Sequence, residues 1–379
     1  MTGRGRVRAM GREREAMNRE HERRFMKTAL TLASRARGMT SPNPMVGAVV
    51  VKDGRIAGSG YHHKFGLAHA ETLALENAGS RSRGGELYVN LEPCAHHGHT
   101  PPCAAAIVEA GIKKVFVGIV DPDTRVRGKG IKFLRAHGVS VEVGLLAEEA
   151  ERLNEGYLKW TKTGLPFVAL KLCQSLDGRL AAQDGTSRGL GSPEEIAFVH
   201  GLRAAYDAVL VGSGTALADD PRLTVRLAKG RNPHRIVLDS RLRLPLNARM
   251  LRPGKGERVI VVALAGAPGR KADALRTNGV EVWLLPAKVG RLSLAALLKK
   301  AAQSGIQSVL VEGGAEVATS LLRERLVDKM YVAVAPRILG GNRGSWPGDV
   351  GVKSVAESIR LKNVMLRRLG GNVLIEGYF

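Results

Sequence analysis

From Phe25 onward the apolar positions switch between two periods. "RFMKTALTLASRA" spaces them as one face of a helix, and "MVGAVVV" followed by "RIAGSGY" reads as a hairpin with Asp53-Gly54 at its turn. "HAETLALENA" predicts a helix, "ELYVNLE" a strand, and "PPCAAAIVEAG" a helix with proline at its start and Gly111 at its end. "KVFVGIVD", "GKGIKFLRAHG" and "VSVEVG" continue as strand, helix and strand. Alternation of this kind predicts a compact three-layer α/β domain.

A charged helical stretch over 145–164 ends in "TKTGLP", a candidate junction. A second α/β series follows. Its strands are "FVALKLCQ", "DAVLVG", "HRIVLDS", "RVIVVAL", "VEVWLLP", "SVLVEGG", "KMYVAVAP" and "NVLIEGYF". Helices are expected at "PEEIAFVHGLRAA", near 270–278, at "LAALLKKAAQ" and at "EVATSLLRERL". The sheet should be mainly parallel, with the late strands antiparallel. The expected organisation is a flexible basic tail over 1–24, one domain over 25–164 and a second over 165–379. Met17 is a candidate alternative start.

Composition narrows the picture. An apolar content of 44% in 379 residues suits two folded domains. No apolar run reaches the roughly 18 residues of a membrane span. Three cysteines, with no signal-peptide pattern, point to a reducing cytoplasmic setting. The net charge is +23, of which the tail's eight arginines and four glutamates contribute +4. A basic surface attracts nucleic acid and also phosphorylated small molecules. Aromatic residues at 4% are poor material for base stacking, so nucleic acid is not the expected ligand.

The chemistry concentrates in "LEPCAHHGHTPPC", residues 91–103. Cys94 and Cys103, eight residues apart, can reach one Zn²⁺. A closed structural site needs four protein ligands, while a catalytic site keeps three and leaves the fourth place for water. His96 and His99 could complete the former; with His97 they otherwise read as loop histidines, and His62 and His63 are equally open. Upstream, "AHAE" places His69 and Glu71 at the start of a helix. The zinc nucleobase deaminase signature combines H-x-E with P-C-x-x-C; here the second half is stretched to Pro93-Cys94-x8-Cys103. In that reading His69, Cys94 and Cys103 hold the metal, and Glu71 moves a proton from water to the leaving amine.

In the second domain, "SVLVEGGAEVATSLL" ends a strand in Glu312-Gly313-Gly314 and begins a helix. Such a turn either binds a phosphate or is simply tight. "TALADDPRLTVR" reads as a polar loop between apolar segments, and Arg203, late in its helix, could equally face solvent.

Residues 25–379 resemble the bifunctional deaminase–reductase family of riboflavin biosynthesis. "SPNPMVGAVVV", "AHAE" and "LEPCAHHGHTPPC" match its deaminase half. "KLCQSLDGRLA", "LRAAYDAVLVGSGTALADDPRLTVR" and "VEGGAEVATSLL" match its reductase half. The resemblance implies a cytidine-deaminase-like α/β/α domain, then a dihydrofolate-reductase-like α/β domain that uses NADPH. It implies zinc on His69, Cys94 and Cys103, with Glu71 as proton shuttle and Asn43 orienting a pyrimidine. It also implies phosphorylated-substrate contacts at Ser187, Arg203, Leu223, Arg226 and Glu312. NADPH contacts would be Cys173, Thr215, Asp219, Ser240 and the segment Gly314, Ala315, Glu316, Val317, Ala318, Thr319 and Ser320. A homo-oligomer is a further implication. One departure stands out. The family commonly carries Trp-Ile-Thr after the substrate serine and its basic neighbour, whereas here Ser187-Arg188 is followed by Gly189-Leu190-Gly191. A deaminase with an impaired reductase half, a nucleic-acid-editing deaminase and a non-catalytic zinc-stabilised binding protein are the rival readings.

Overall fold

The computed structural model describes residues 3–96, 101–187, 189–288, 290–341 and 346–379, with side chains from Met17 onward. The chain divides into two compact units, Met1–Lys162 and Thr163–Phe379, which part inside the "TKTGLP" stretch.

In the first unit, strands β1 (Gly47–Lys52), β2 (Arg55–Tyr61), β3 (Glu86–Leu91), β4 (Lys114–Ile119) and β5 (Ser140–Val143) form one sheet in the order β2-β1-β3-β4-β5. β1 pairs antiparallel with β2 and β3, through a turn in which Asp53 and Gly54 both have positive φ. β3, β4 and β5 are parallel. Helices α1 (Gly3–Ser34), α2 (Ala70–Ala78), α3 (Cys103–Glu109), α4 (Lys129–Ala136), α5 (Ala147–Leu153) and α6 (Glu155–Thr163) accompany it. One core joins Ala48, Val50, Leu87, Val89, Val115 and Val117 to α2, α3 and α4. The opposite face of the same strands, Val49, Val51, Tyr88 and Phe116, packs on Phe25, Met26 and Ala29 of α1. Alternate residues of each strand therefore face different helices, which gives the expected three layers.

Of the stretch expected as a flexible basic tail, residues 3–24 are helical and belong to α1. The segment has no apolar stripe, yet Arg, Glu, Met and Ala are strong helix formers, and they extend the helix that Phe25 and Met26 anchor.

The second unit holds a nine-stranded sheet. Its strands are β6 (Phe167–Ser175), β7 (Ala208–Gly212), β8 (His234–Leu238), β9 (Val259–Leu264), β10 (Glu281–Leu285), β13 (Ser308–Val311), β14 (Lys329–Ala335), β15 (Lys362–Leu369) and β16 (Asn372–Tyr378). A two-stranded ribbon, β11 (Ala287–Lys288) with β12 (Arg291–Leu292), stands apart. The order is β10-β9-β8-β7-β13-β6-β14-β16-β15. All pairs are parallel except β14–β16 and β15–β16. The chain leaves β6, builds outward from β7 to β10, then returns to insert β13 between β7 and β6. In parallel sheets a ligand crevice lies beyond the strand ends at such a reversal. Helices α7 (Pro193–Ala205), α8 (Ser213–Asp219), α9 (Gly269–Thr277), α10 (Leu294–Gln303) and α11 (Ala315–Arg323) complete the unit. β15 was not read in the sequence, because "KNVMLRRL" is an exposed edge with no buried alternation. Among the described residues no helix is long and apolar enough to cross a membrane.

Candidate functional site

Two elements deliver the metal-ligand candidates. α2 begins directly after His69, and α3 begins at Cys103. Glycines at 58 and 60 on β2 let α2 lie almost on the strand: a Cβ at Gly58 would stand 2.3 Å from the Ala74 carbonyl oxygen, and one at Gly60 2.8 Å from that of Ala70. The three side chains then converge. His69 Nδ1 lies 3.2 Å from Cys103 Sγ and 3.7 Å from Cys94 Sγ, and the backbone N–H of Cys103 donates to Cys94 Sγ at 3.4 Å. All three ligand atoms lie within 4.8 Å of one another. With zinc–sulfur and zinc–nitrogen bonds of about 2.3 and 2.0 Å, the edge of a tetrahedron is about 3.5 Å, so the donor set fits Zn²⁺ with one position left open. Among the described residues this is the one such cluster. His97 and His99 lie outside the described residues.

The electrostatics suit the same use. The hydrogen bond from Cys103, reinforced by His69, holds the Cys94 thiol far below its ordinary range, at about 4, whereas Cys103 is raised because it keeps the shared proton. The His69 imidazole is raised by its bond to Cys94. Glu71, in the first turn of α2, is 4% exposed. Burial first, then the negative Cys94, pushes its carboxyl up to about 7, which is the range of a group that both takes and returns a proton near neutrality.

Asn43 joins this site through a histidine that the sequence left open. Asn43 Nδ2 lies 3.1 Å from His62 Nε2, and His62 Nδ1 lies 3.1 Å from the Ala68 carbonyl oxygen. Burial lowers His62, so the ring is neutral: Nδ1–H donates to Ala68 and Nε2 accepts from Asn43. Its ring stands edge-on to His69 with centroids 5.5 Å apart. The segment carrying Asn43 is held by two buried asparagines. Asn154 accepts from Met45 N–H, and both Asn90 and Asn154 donate to the Met45 carbonyl. No local motif marks Asn90 or Asn154, so the sequence did not single them out.

In the second unit the expected contacts come from the carboxyl ends of four adjacent strands. Cys173 is on β6 and Ser240 follows β8. Thr215 and Asp219 lie on α8, after β7, and Glu312 and the 314–320 segment follow β13. The expected polar loop is helical over its first residues: 215–219 belong to α8, and the chain then reverses through Asp220 and Leu223, both at positive φ. Gly313 and Gly314 have φ near 100° and 84°, which L side chains rarely adopt, and they open the N-terminus of α11. A Cβ at Gly314 would stand 3.4 Å from Thr215 Oγ1, and one at Gly212 2.9 Å from Val317 Cγ2, so the α8 and α11 segments meet. A helix N-terminus approached this closely by backbone fits a pyrophosphate-bearing cofactor such as NADPH. Within 314–320, Glu316 is exposed, Ala318 is in the core, and Thr319 is buried with its hydroxyl accepting from Gly348 N–H at 2.9 Å. Burial, then the charge of Glu195, pushes the Cys173 thiol up to about 12, so it lines the site as a neutral group.

Of the substrate-contact candidates, Arg203, Glu312 and Arg226 meet around the main chain that follows Leu223, and no described contact joins Ser187 to them. Arg203 on α7 forms a two-pronged pair with Glu312, both bonds at 2.6 Å, and its third nitrogen donates to the Thr224 carbonyl at 3.3 Å. Arg226 N–H donates to His200 Nδ1 on α7 at 2.8 Å, and its guanidinium donates to Thr224 Oγ1 at 2.8 Å. Burial, and then repulsion from Arg203, Arg222 and Arg249, lowers Arg226. Guanidiniums crowded in this way are eased by an anion such as a phosphate monoester. The Leu223 side chain is 3% exposed in the core, so only its main chain is available to a ligand. Ser187 is part-buried, with its carbonyl accepting from Leu190 N–H at 3.3 Å; its neighbour Arg188 lies outside the described residues.

Known proteins carry the same two units. Residues 166–375 match the profile of the RibD C-terminal domain, and residues 19–119 that of the cytidine and deoxycytidylate deaminase zinc-binding region. The riboflavin biosynthesis protein RibD of Aquifex aeolicus (strain VF5) is 41% identical over 360 residues, covering 95% of this chain and 99% of that protein. RibD of Escherichia coli (strain K12) is 39% identical over 365 residues, covering 93% and 97%. The crystal structure of a diaminohydroxyphosphoribosylaminopyrimidine deaminase/5-amino-6-(5-phosphoribosylamino)uracil reductase from Thermotoga maritima superposes with a TM-score of 0.84 at 36% identity, covering 95% of this chain and 99% of that one.

Proposed function

The chain belongs to the RibD family, the bifunctional deaminase–reductases of riboflavin biosynthesis, and from that premise we propose which residues carry each of its two reactions. The deaminase reaction is assigned to residues 25–164 and the reductase reaction to residues 165–379. The substrate is the free 2,5-diamino-6-(5-phosphoribosylamino)pyrimidin-4-one and not nucleic acid. The setting is the cytoplasm, where Cys94 and Cys103 stay reduced.

His69 Nδ1, Cys94 Sγ and Cys103 Sγ hold zinc, which when bound supplies the Lewis acidity that makes water nucleophilic near neutral pH. Glu71 accepts the proton of the attacking water and delivers it to the exocyclic nitrogen. The carbon–nitrogen bond breaks, ammonia leaves, and the ring carbon keeps the oxygen. Asn43, fixed by neutral His62, presents its amide to the pyrimidine and sets which carbon faces the water. In the second unit Arg203 and Arg226, with Ser187, Glu312 and the main chain at Leu223, bind the phosphorylated ribosyl group. Cys173, Thr215, Asp219, Ser240 and 314–320 hold NADPH. NADPH, when bound, would supply the hydride for C1′ of the ribosyl group, whose bond to the ring oxygen would open with uptake of a proton by that oxygen. The product is 5-amino-6-(5-phosphoribitylamino)uracil.

The observation that carries the reading is the approach of His69 Nδ1 to both sulfurs beside a buried Glu71 raised to about 7. The test is the purified zinc-loaded chain given the diaminopyrimidine phosphate with and without NADPH. Ammonia is expected in both cases, and NADPH oxidation only after deamination. NADPH oxidation with no ammonia release would refute the order of the two steps.

A further inference from the structure

Glu195, on the first turn of α7, is 1% exposed and belongs to none of the contacts assigned above. Its carboxylate accepts from Lys171 Nζ at 2.9 Å, from Asn372 Nδ2 at 2.6 Å and from Cys173 Sγ at 3.3 Å. Lys171 and Cys173 point to the same side of β6. Val311 of β13 pairs with Leu170, so Glu312 leaves the sheet at the position next to Lys171. α7 therefore supplies one partner to each of two ion pairs, Arg203 to Glu312 after β13 and Glu195 to Lys171 in the middle of β6. Within the second pair the lysine side chain keeps 15% of its surface open and the glutamate 2%. The carboxylate is thus the more deeply buried partner of the pair.

The same carboxylate accounts for a sequence departure. A Cβ on Gly191 would stand 3.5–3.7 Å from the Glu195 carboxylate, already in van der Waals contact. An alanine methyl therefore fits there, while a side chain branched at Cβ adds bulk next to the carboxylate. Gly191 is not at a positive φ, so its backbone does not demand glycine. Around it the turn is stitched to the end of the sheet. Asn372 Nδ2 also donates to the Leu190 carbonyl at 3.0 Å, and Ser192 Oγ donates to the Leu369 carbonyl at 2.7 Å.

We infer that Glu195 is a positioning residue of the reductase site. Its carboxylate fixes the Lys171 ammonium on β6, where Cys173 shares the same carboxylate, and a small residue at 191 leaves that carboxylate its place. The inference rests on the reductase reading of this unit. Its consequence is that the Gly-Leu-Gly stretch is an adaptation of a working site, coupled to a buried charge on the facing helix.

The test compares Glu195→Gln, Glu195→Asp, Gly191→Ala, Gly191→Val and the double variant Gly191→Val/Glu195→Gln in the full zinc-loaded chain. Reduction of the deaminated substrate gives kcat and KM, quenching of NADPH fluorescence gives cofactor affinity, and ammonia release serves as a folding control. Glu195→Gln should lower reductase kcat about tenfold while KM and NADPH affinity stay within about twofold, because a buried ammonium loses its counter-charge. Glu195→Asp should restore part of the rate. Gly191→Ala should be near wild type and Gly191→Val should resemble Glu195→Gln. The double variant should be no worse than either single, since both act through one pair. A wild-type kcat in Glu195→Gln, additive losses in the double variant, or equal losses in kcat and NADPH affinity would each overturn the inference. A wild-type chain that oxidises no NADPH would instead overturn the reductase reading itself.

Discussion

At the scale of single residues, the chemistry proposed for the first unit rests on one proton and three candidate ligand atoms. Glu71 sits in a buried position that raises it to about 7, two residues from His69 but not among the ligand atoms. Glu71→Gln should keep zinc at one equivalent, measured by elemental analysis, and lower ammonia release by about 10³-fold, within the range typical of general acid–base loss. His69→Ala removes one of three donors, so the same measurement should find the metal lost and ammonia release abolished. Full deamination by Glu71→Gln would show that another group moves the proton.

Elements hold these residues at their distances, and the loop between β4 and α4 shows how. Glu92, two residues before Cys94, is 4% exposed and accepts backbone N–H groups from Asp121, Gly128, Gly130 and Ile131 at 2.9–3.3 Å. One carboxylate thus fastens the start of α4 to the loop that carries the candidate ligand Cys94. The contact is close enough that a Cβ on Gly130 would stand 1.9 Å from the Pro93 carbonyl oxygen. Gly130→Ala must push Pro93, and Cys94 with it, away from α4. It should destabilise the first unit by about 1–3 kcal/mol in thermal unfolding, and zinc affinity in chelator competition should fall with it. Unchanged zinc affinity would mean that α4 does not hold Cys94 in place. In the second unit the comparable anchor is Asp207. It accepts from Arg231, from the N–H groups of Gln307 and Ser308 and from the Ser308 hydroxyl, and so seats β13 at the reversal where Glu312 emerges.

For the whole molecule, each unit has its own sheet and its own cores, and no residue assigned to one reaction lies in the other unit. The two activities should therefore separate by metal alone. Stripping zinc with a strong chelator should end ammonia release while NADPH-dependent reduction of the deaminated substrate continues at its former rate. Readdition of zinc should restore ammonia release. A reductase that stops with the metal would show that the second unit depends on the first. Loss of zinc should also lower the unfolding midpoint of the first unit, by the mass-action stabilisation that a ligand of the folded state confers.

Much of this was legible along the chain. Period-two and period-3.6 patterns located both α/β series; "PEEIAFVHGLRAA" and "LAALLKKAAQ" are helices end to end, and Asp53-Gly54 is the turn between β1 and β2. His69, Glu71, Cys94 and Cys103 stand out as candidates because metal chemistry demands particular residue types at particular spacings, and spacing is a property of sequence. What was not legible belongs to contacts between distant segments. Propensity alone carried α1 through the charged first residues, and an exposed edge strand left no alternation to read. His62 beneath Asn43, Asn154 under Met45 and Glu195 behind Lys171 carry no local signature, since each acts on a partner 19 to 109 residues away. A buried polar side chain is selected by whatever group the fold brings against it, and only the packed sheet and helices decide which group that is.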